Sequence, residues 1–231
     1  MKKNKILVVL TNEDSFGDDP EKTGLWLTEA TEFIEEVEKN GFEVDYVSPK
    51  GGKVPIDPRS LEEDNMNEYA KEKMDDEEFS DRALTNSLKP SDINPSDYDA
   101  IYYTGGHGVV FDFPDNEDLQ KISMEIYKDG GYVTSVCHGI AGLLNIKEDS
   151  GDYLIKGKQV TGFTQKEEEL SGKESKVPFG TEEEAIKRGA DFKKEDPFTS
   201  FAVKDGQLIT GQNPASGKAV AEKLIKALED K

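Results

Sequence analysis

Apolar and polar positions along the chain fall into two alternating regimes. Ile6-Leu7-Val8-Val9-Leu10 is an unbroken apolar run within residues 5–11, as expected of a strand covered on both faces. After a polar loop from Thr11 to Thr23, Leu25, Leu27, Ala30, Phe33, Ile34 and Val37 recur at helical spacing and stop at Asn40-Gly41. Phe42 to Val47 is strand-like again and ends in Ser48-Pro49-Lys50-Gly51-Gly52. This β-α-β opening predicts a parallel strand pair joined by a right-handed crossover.

Residues 53–97 break the rhythm. They are charged and helical in composition, with sparse apolar positions at Leu61, Met66, Tyr69, Met74, Phe79, Leu84 and Leu88. They are expected to form an inserted helical cap over the C-terminal edge of the sheet, within one α/β domain spanning 1–231. A third strand, Tyr98 to Thr104, runs into Gly105-Gly106-His107-Gly108, and Asp115 to Lys128 forms a helix. Leu154-Ile155 with residues 159–163 predicts a hairpin or return strand, and Glu182 to Arg188 a helix. Residues 198–203 and 207–210 predict a hairpin turning at Asp205-Gly206, and a last helix opens at Asn213-Pro214. The predicted class is α/β, with a mainly parallel sheet and helices on both faces.

One stretch changes regime within a single residue. Tyr132, Val133 and Val136 are strand formers, whereas Ile140, Ala141, Leu143 and Leu144 follow helical spacing, so Cys137 sits at the joint. A nucleophile elbow places its reactive side chain at such a joint. A helix dipole there would stabilise a thiolate, and the adjacent His138 favours a reactive cysteine over an inert buried one.

Composition narrows the class. With 29 basic against 49 acidic residues the net charge is −20, which argues against a nucleic-acid or anionic-membrane partner. A single cysteine excludes an internal disulfide framework, and two histidines show no metal-ligand spacing. The first apolar run is too short for a signal peptide or membrane span, so a cytoplasmic enzyme is expected.

Ligands of open α/β sheets bind outside the carboxyl ends of the strands. Gly105, Gly106 and His107 belong there, with Cys137 and His138 and the run Glu167-Glu168-Glu169. The amides of Gly106 and of the residue after the cysteine could form an oxyanion hole, although Gly105-Gly106 alone reads as a tight turn. His107 either lines the pocket or caps that turn, the latter being favoured. Glu29 shares a helix face with Leu25, Phe33 and Ile34; it is either a desolvated acid/base group or the polar margin of the stripe.

Together these residues resemble the ThiJ/PfpI superfamily, whose flavodoxin-like three-layer fold is that of class I glutamine amidotransferases. The nearer resemblance is to its glutathione-independent glyoxalase III branch of small heat-inducible, chaperone-like proteins. The ordered blocks are Gly24-Leu25-Trp26-Leu27-Thr28-Glu29, residues 45–49, and Tyr103-Thr104-Gly105-Gly106-His107-Gly108 with residues 111–114. Val136-Cys137-His138-Gly139, residues 160–164 and residues 210–216 follow. The resemblance implies that Cys137 is the nucleophile, His138 its base and Glu168 the third member of the triad, with Glu167 and Glu169 as alternative registers. It further implies that Glu29 hydrogen-bonds the sulfur and that Gly106 and His138 supply oxyanion-hole amides. No cofactor and no metal are implied.

The activity implied is conversion of methylglyoxal and water to lactate through a cysteine hemithioacetal, in a cytoplasmic homodimer. The same site would serve a deglycase or amidase, a narrow pocket favouring small aldehydes and an open one amine-bearing adducts. A stress chaperone (holdase) or a cysteine redox sensor is the non-enzymatic alternative.

Overall fold

The computed structural model describes residues 3–230. In chain order the strands are β1 (Lys5–Val9), β2 (Ser15–Phe16), β3 (Asp19–Lys22), β4 (Glu43–Val47), β5 (Ala100–Tyr103), β6 (Tyr132–Val136), β7 (Gln159–Val160), β8 (Asp191–Phe192), β9 (Ala202–Asp205) and β10 (Leu208–Gly211). The α-helices are α1 (Leu27–Lys39), α2 (Glu68–Asp75), α3 (Glu77–Phe79), α4 (Val109–Asp112), α5 (Glu117–Lys128), α6 (Gln165–Ser171), α7 (Thr181–Lys187) and α8 (Gly217–Glu229). The central sheet has the order β4-β1-β5-β6-β10-β9, parallel except for the antiparallel edge strand β9.

The unbroken apolar run of β1 has a direct cause. Ile6 and Val8 point into one core with α1 and α8, while Leu7 and Val9 point into a second core with α5 and residues 140–144. Ala100 and Tyr102 of β5 join the first core, Ile101 and Tyr103 the second. Alternate residues of a strand face opposite sides, so a strand buried on both needs apolar residues throughout. The expected three-layer, flavodoxin-like α/β fold is the one observed.

Several connections differ from expectation. The loop after β1 contains the β2–β3 hairpin, whose Asp19 and Glu21 pair with Lys176, Glu21 also pairing with Lys173. The stretch 53–97 divides in two. Residues 58–65 bring Arg59, Glu62 and Asn65 to the C-terminal edge of the sheet. The rest packs sideways, burying Ala70, Phe79 and Ala83 in the core shared with α1 and β4, and Leu88 bridges to Val47. The hairpin expected from 154–163 is instead β7, paired in parallel with β8 in a small separate sheet. Leu154 and Ile155 belong to no strand; they are buried as core side chains. Residues 198–201 are not strand, for reasons that concern the site.

Candidate functional site

The site is assembled at the carboxyl ends of β5 and β6. Cys137 follows β6 directly and adopts φ +56°, a left-handed backbone that costs a non-glycine residue roughly 1–2 kcal/mol. The turn closes because residues 139 and 142 lack side chains. A Cβ on Gly139 would strike the Tyr103 carbonyl, and one on Gly142 the Tyr103 ring. The elbow is therefore present, but it opens a seven-residue 3-10 helix, Cys137–Leu143, rather than an α-helix.

That environment does not favour a resting thiolate, contrary to expectation. Burial pushes the Cys137 thiol well above its ordinary value, and the Glu29 and Glu167 carboxyls push it further. The backbone N–H of His138 pulls the other way without prevailing. Desolvation outweighs a partial charge at a short helix end.

Glu29 lies in the first turn of α1. The Trp26 amide donates to the Gly105 carbonyl at 3.2 Å and the Tyr102 hydroxyl to the Glu29 carbonyl at 2.7 Å, which docks this helix onto the end of β5. The Glu29 side chain is fully buried, so it is not a polar margin. Neither carboxyl oxygen makes a hydrogen bond of ordinary geometry. Burial raises its pKa well above the carboxylate range, against the opposing pull of the Cys137 thiol and the Gly105 backbone. Both shifts favour the protonated forms, a carboxylic acid beside a thiol.

His138 faces the sulfur from the other side, with Nδ1 3.4 Å from Sγ. Its Nε2 lies 2.6 Å from Glu168 Oε2. The local fold of α6 separates the three consecutive glutamates. The Thr164 hydroxyl accepts from the Glu167 amide at 3.1 Å, and Glu167 Oε2 accepts from the Thr164 amide at 2.9 Å, a capping box that turns Glu167 back on the helix start. Glu168 then faces the histidines, while exposed Glu169 pairs with Lys166. Burial would raise the Glu168 pKa, yet His138 and His107 together hold it well below the carboxylate range.

His107 is a pocket residue as well as a turn residue. Its Nε2 lies 2.6 Å from Glu168 Oε1 and its Nδ1 3.0 Å from an Arg59 guanidinium nitrogen. Burial, His138 and Arg59 lower its pKa to about 4. Glu168 thus bridges two histidines. The ligand atoms of His107, His138 and Glu168 lie within 4.8 Å of one another, close enough to hold a metal ion. Sequence spacing had shown no such cluster. As arranged, both Nε2 atoms are engaged with the carboxylate, and a metal would have to displace those hydrogen bonds.

Gly106 has φ +106°, and a Cβ there would collide with the Gly24 carbonyl, so only glycine fits beneath the start of α1. Gly106, His107, Cys137 and His138 line a cavity of about 490 Å³, whose walls include Trp26, Phe163, Phe198 and Arg59. Phe198 also has a left-handed backbone (φ +59°), and its amide donates to Glu167 Oε1 at 2.8 Å. The same oxygen accepts from Gln212 and Asn213, at 3.0 and 2.9 Å. This buried carboxylate holds residues 198–201 out of the predicted strand. Arg59 and Phe198 are the site residues that sequence reasoning missed. Arg59 lies in a charged stretch with no periodicity, and Phe198 was absorbed into a strand pattern.

The family model of the DJ-1/PfpI family matches residues 23–227. Glyoxalase 3 of Candida albicans is 38% identical over 234 residues, covering 97% of this chain and 98% of its own. Glutathione-independent glyoxalase HSP31 of Saccharomyces cerevisiae is 38% identical over 241 residues, covering all of both chains. The crystal structure of glyoxalase III from Candida albicans superposes with a TM-score of 0.89 at 37% identity, over 98% of each chain. The matched segment contains Glu29, Arg59, His107, Cys137, His138 and Glu168, and the fold is shared over 98% of the chain: this protein belongs to the DJ-1/PfpI family.

Proposed function

We propose that this protein is a glutathione-independent glyoxalase that converts methylglyoxal and related 2-oxoaldehydes, with water, into 2-hydroxy acids such as lactate. The observation that carries this reading is Cys137 on its elbow, with a basic nitrogen 3.4 Å from the sulfur on one side and the buried Glu29 carboxyl on the other. The full-length likeness to glyoxalases supports it.

The chemistry follows from that pair. As sulfur adds to the aldehyde carbon, His138 Nδ1 takes the thiol proton, and Glu168 at Nε2 balances the imidazolium that forms. The carbonyl electron pair moves onto oxygen, where the amides of Gly106 and His138 stabilise it until it is protonated. The C–H of the resulting hemithioacetal then gives up its proton, and the bonding electrons form an enediol with the neighbouring carbonyl. His138 and Glu29 carry that proton to the second carbon, while the hydroxyl proton of the first carbon passes to the oxygen of the second, leaving the thioester of the 2-hydroxy acid. Water cleaves the C–S bond, releases the hydroxy acid and returns the thiol. Covalent capture divides one difficult rearrangement into easier steps.

Lactate formation from methylglyoxal without glutathione, by the wild type and by Cys137→Ala, tests this. Multiple turnovers lost in the variant are expected; a folded wild type that consumes substrate only stoichiometrically overturns it.

A second reading, repair of amine-bearing glyoxal adducts by the same residues, is favoured by one observation. A cavity of about 490 Å³ is far roomier than a three-carbon aldehyde, given roughly 30 Å³ per water molecule. Release of free amine from a preformed adduct distinguishes it. A homodimer acting in the cytoplasm accompanies the main reading, and sedimentation velocity tests the assembly. Among the described residues no helix is long and apolar enough to cross a membrane.

A further inference from the structure

Beyond the reacting groups, a continuous chain of hydrogen bonds runs away from the sulfur. It passes from Cys137 Sγ to His138, to Glu168, to His107, to Arg59 and finally to Asp57. Asp57 is fully buried and grips Arg59 through both carboxylate oxygens, at 3.0 and 2.6 Å, while Thr23 donates to it at 2.9 Å. Arg59 also lies over the Phe16 and Trp26 rings, at 5.9 and 5.8 Å from their centroids. The guanidinium is thus fixed from several directions.

We propose that Arg59 and His107 are positioning residues, which act through Glu168 to hold His138 in the one tautomer that leaves Nδ1 free to accept the thiol proton. The argument starts from the valence of arginine. A guanidinium only donates, so the His107 Nδ1 it meets at 3.0 Å accepts and carries no hydrogen. The ring's hydrogen is then on Nε2 and is donated to Glu168 Oε1. Glu168, held well below the usual carboxylate range by the two histidines, is ionised and only accepts, so its second oxygen accepts from His138 Nε2 in turn. His138 is left with a lone pair on Nδ1, facing the sulfur. Burial of both rings and of Glu168 makes each link strong, because water offers no competing partner. The lowered pKa of His107, about 4, agrees with a neutral ring; burial is the main cause, and His138 and Arg59 add to it. Ser171 donates to Glu168 Oε1 at 3.1 Å and steadies the carboxylate without dictating either tautomer.

This proposal rests on the glyoxalase reading for its activity readout only; tautomers are observed without any substrate. The chain has two histidines, so imidazole nitrogen spectra of ¹⁵N-histidine-labelled protein contain two rings. In the wild type each ring is expected to carry its hydrogen on Nε2, the nitrogen that faces Glu168. His107→Leu leaves His138 alone in the spectrum and keeps the Asp57–Arg59 pair intact. There His138 is expected to shift towards a tautomer mixture, and kcat to fall about tenfold or more with KM within about twofold. His107→Gln offers an amide N–H to Glu168 and an oxygen to Arg59, and is expected to restore kcat to within about threefold of wild type. Arg59→Met should release the His107 ring from its Nε2–H form. An unchanged His138 spectrum in His107→Leu, or a His107 ring still Nε2–H in Arg59→Met, overturns the proposal. If the glyoxalase reading alone is wrong, these spectral changes persist without turnover, together with slower alkylation of Cys137.

Discussion

The carboxyl of Glu29 occupies the space in which residue 105 would carry its Cβ. The φ of Gly105 lies outside the left-handed region, so its glycine is required by this neighbour and not by a left-handed backbone. Gly105→Ala would also place a methyl group 3.0 Å from both the Cys137 Cβ and the Val136 carbonyl. Overpacking of this kind costs about 1–3 kcal/mol, or roughly 2–12 °C in melting temperature for a chain of this size. Calorimetry on Gly105→Ala should show that drop, with kcat falling further than stability because Glu29 and Cys137 are pushed apart.

Glu29→Gln tests the buried acid. The folded-state pKa of Glu29 lies above its unfolded value, so it contributes no penalty at low pH and loses stability as pH rises towards the folded value. Glutamine keeps the shape and removes the titration. The melting temperature of Glu29→Gln relative to wild type is expected to climb as pH rises above the ordinary carboxylate range, while kcat falls roughly 10²–10⁴-fold. A difference that stays flat with pH would show Glu29 to be ionised in the folded protein.

Glu168 has the opposite linkage. Its folded pKa is depressed, so the stability it contributes is present above the unfolded carboxylate range and is lost as pH falls through the folded value. Glu168→Gln should flatten the acid side of the stability curve and lower kcat roughly 10²–10⁴-fold. Exposed Glu169, paired with Lys166 on the surface, serves as the control: Glu169→Gln should leave kcat unchanged and stability within about 0.5 kcal/mol.

Glu167 is structural in its bonding. Its carboxylate accepts from Thr164, Gln212, Asn213 and the Phe198 amide, all buried or partly buried. Glu167→Ala strands several donors at once and should cost about 3 kcal/mol or more. It should also raise KM more than it lowers kcat, since the Phe198 wall of the cavity loses its anchor. Urea unfolding and steady-state kinetics measure the two effects.

Cys137 is the sole cysteine, so its alkylation is unambiguous. With the thiol raised by burial, iodoacetamide labelling should be slow at pH 7 and still be accelerating above pH 9. A rate that is already maximal near pH 6 would mean a resting thiolate.

The legibility of the chain follows its physics. β1, α1 and α5 were readable because burial imposes a period, two-sided on the strand and one-sided on the helices. The Cys137 elbow was readable because a change of period falls on one residue. Residues 53–97 were half readable, since their apolar positions showed helices but not that Ala70, Phe79 and Ala83 would dock beside β4. The stretch 198–201 was misread because a single buried carboxylate, Glu167, overrides a local strand preference.

By itself the sequence determined the layered α/β fold, the joint at Cys137 and the nearness of His138, all consequences of local spacing. It left open which of three consecutive glutamates faces the histidines, because the side chains of adjacent helical residues diverge and only the Thr164 capping box sets the rotation. Nor could it bring Arg59, His107 and Glu168 together, since hydrogen bonds between residues 48 and 61 positions apart leave no period in the chain. The protonation states of Cys137 and Glu29 belong to the tertiary structure as well, because desolvation is a property of what surrounds a group and not of its neighbours in sequence.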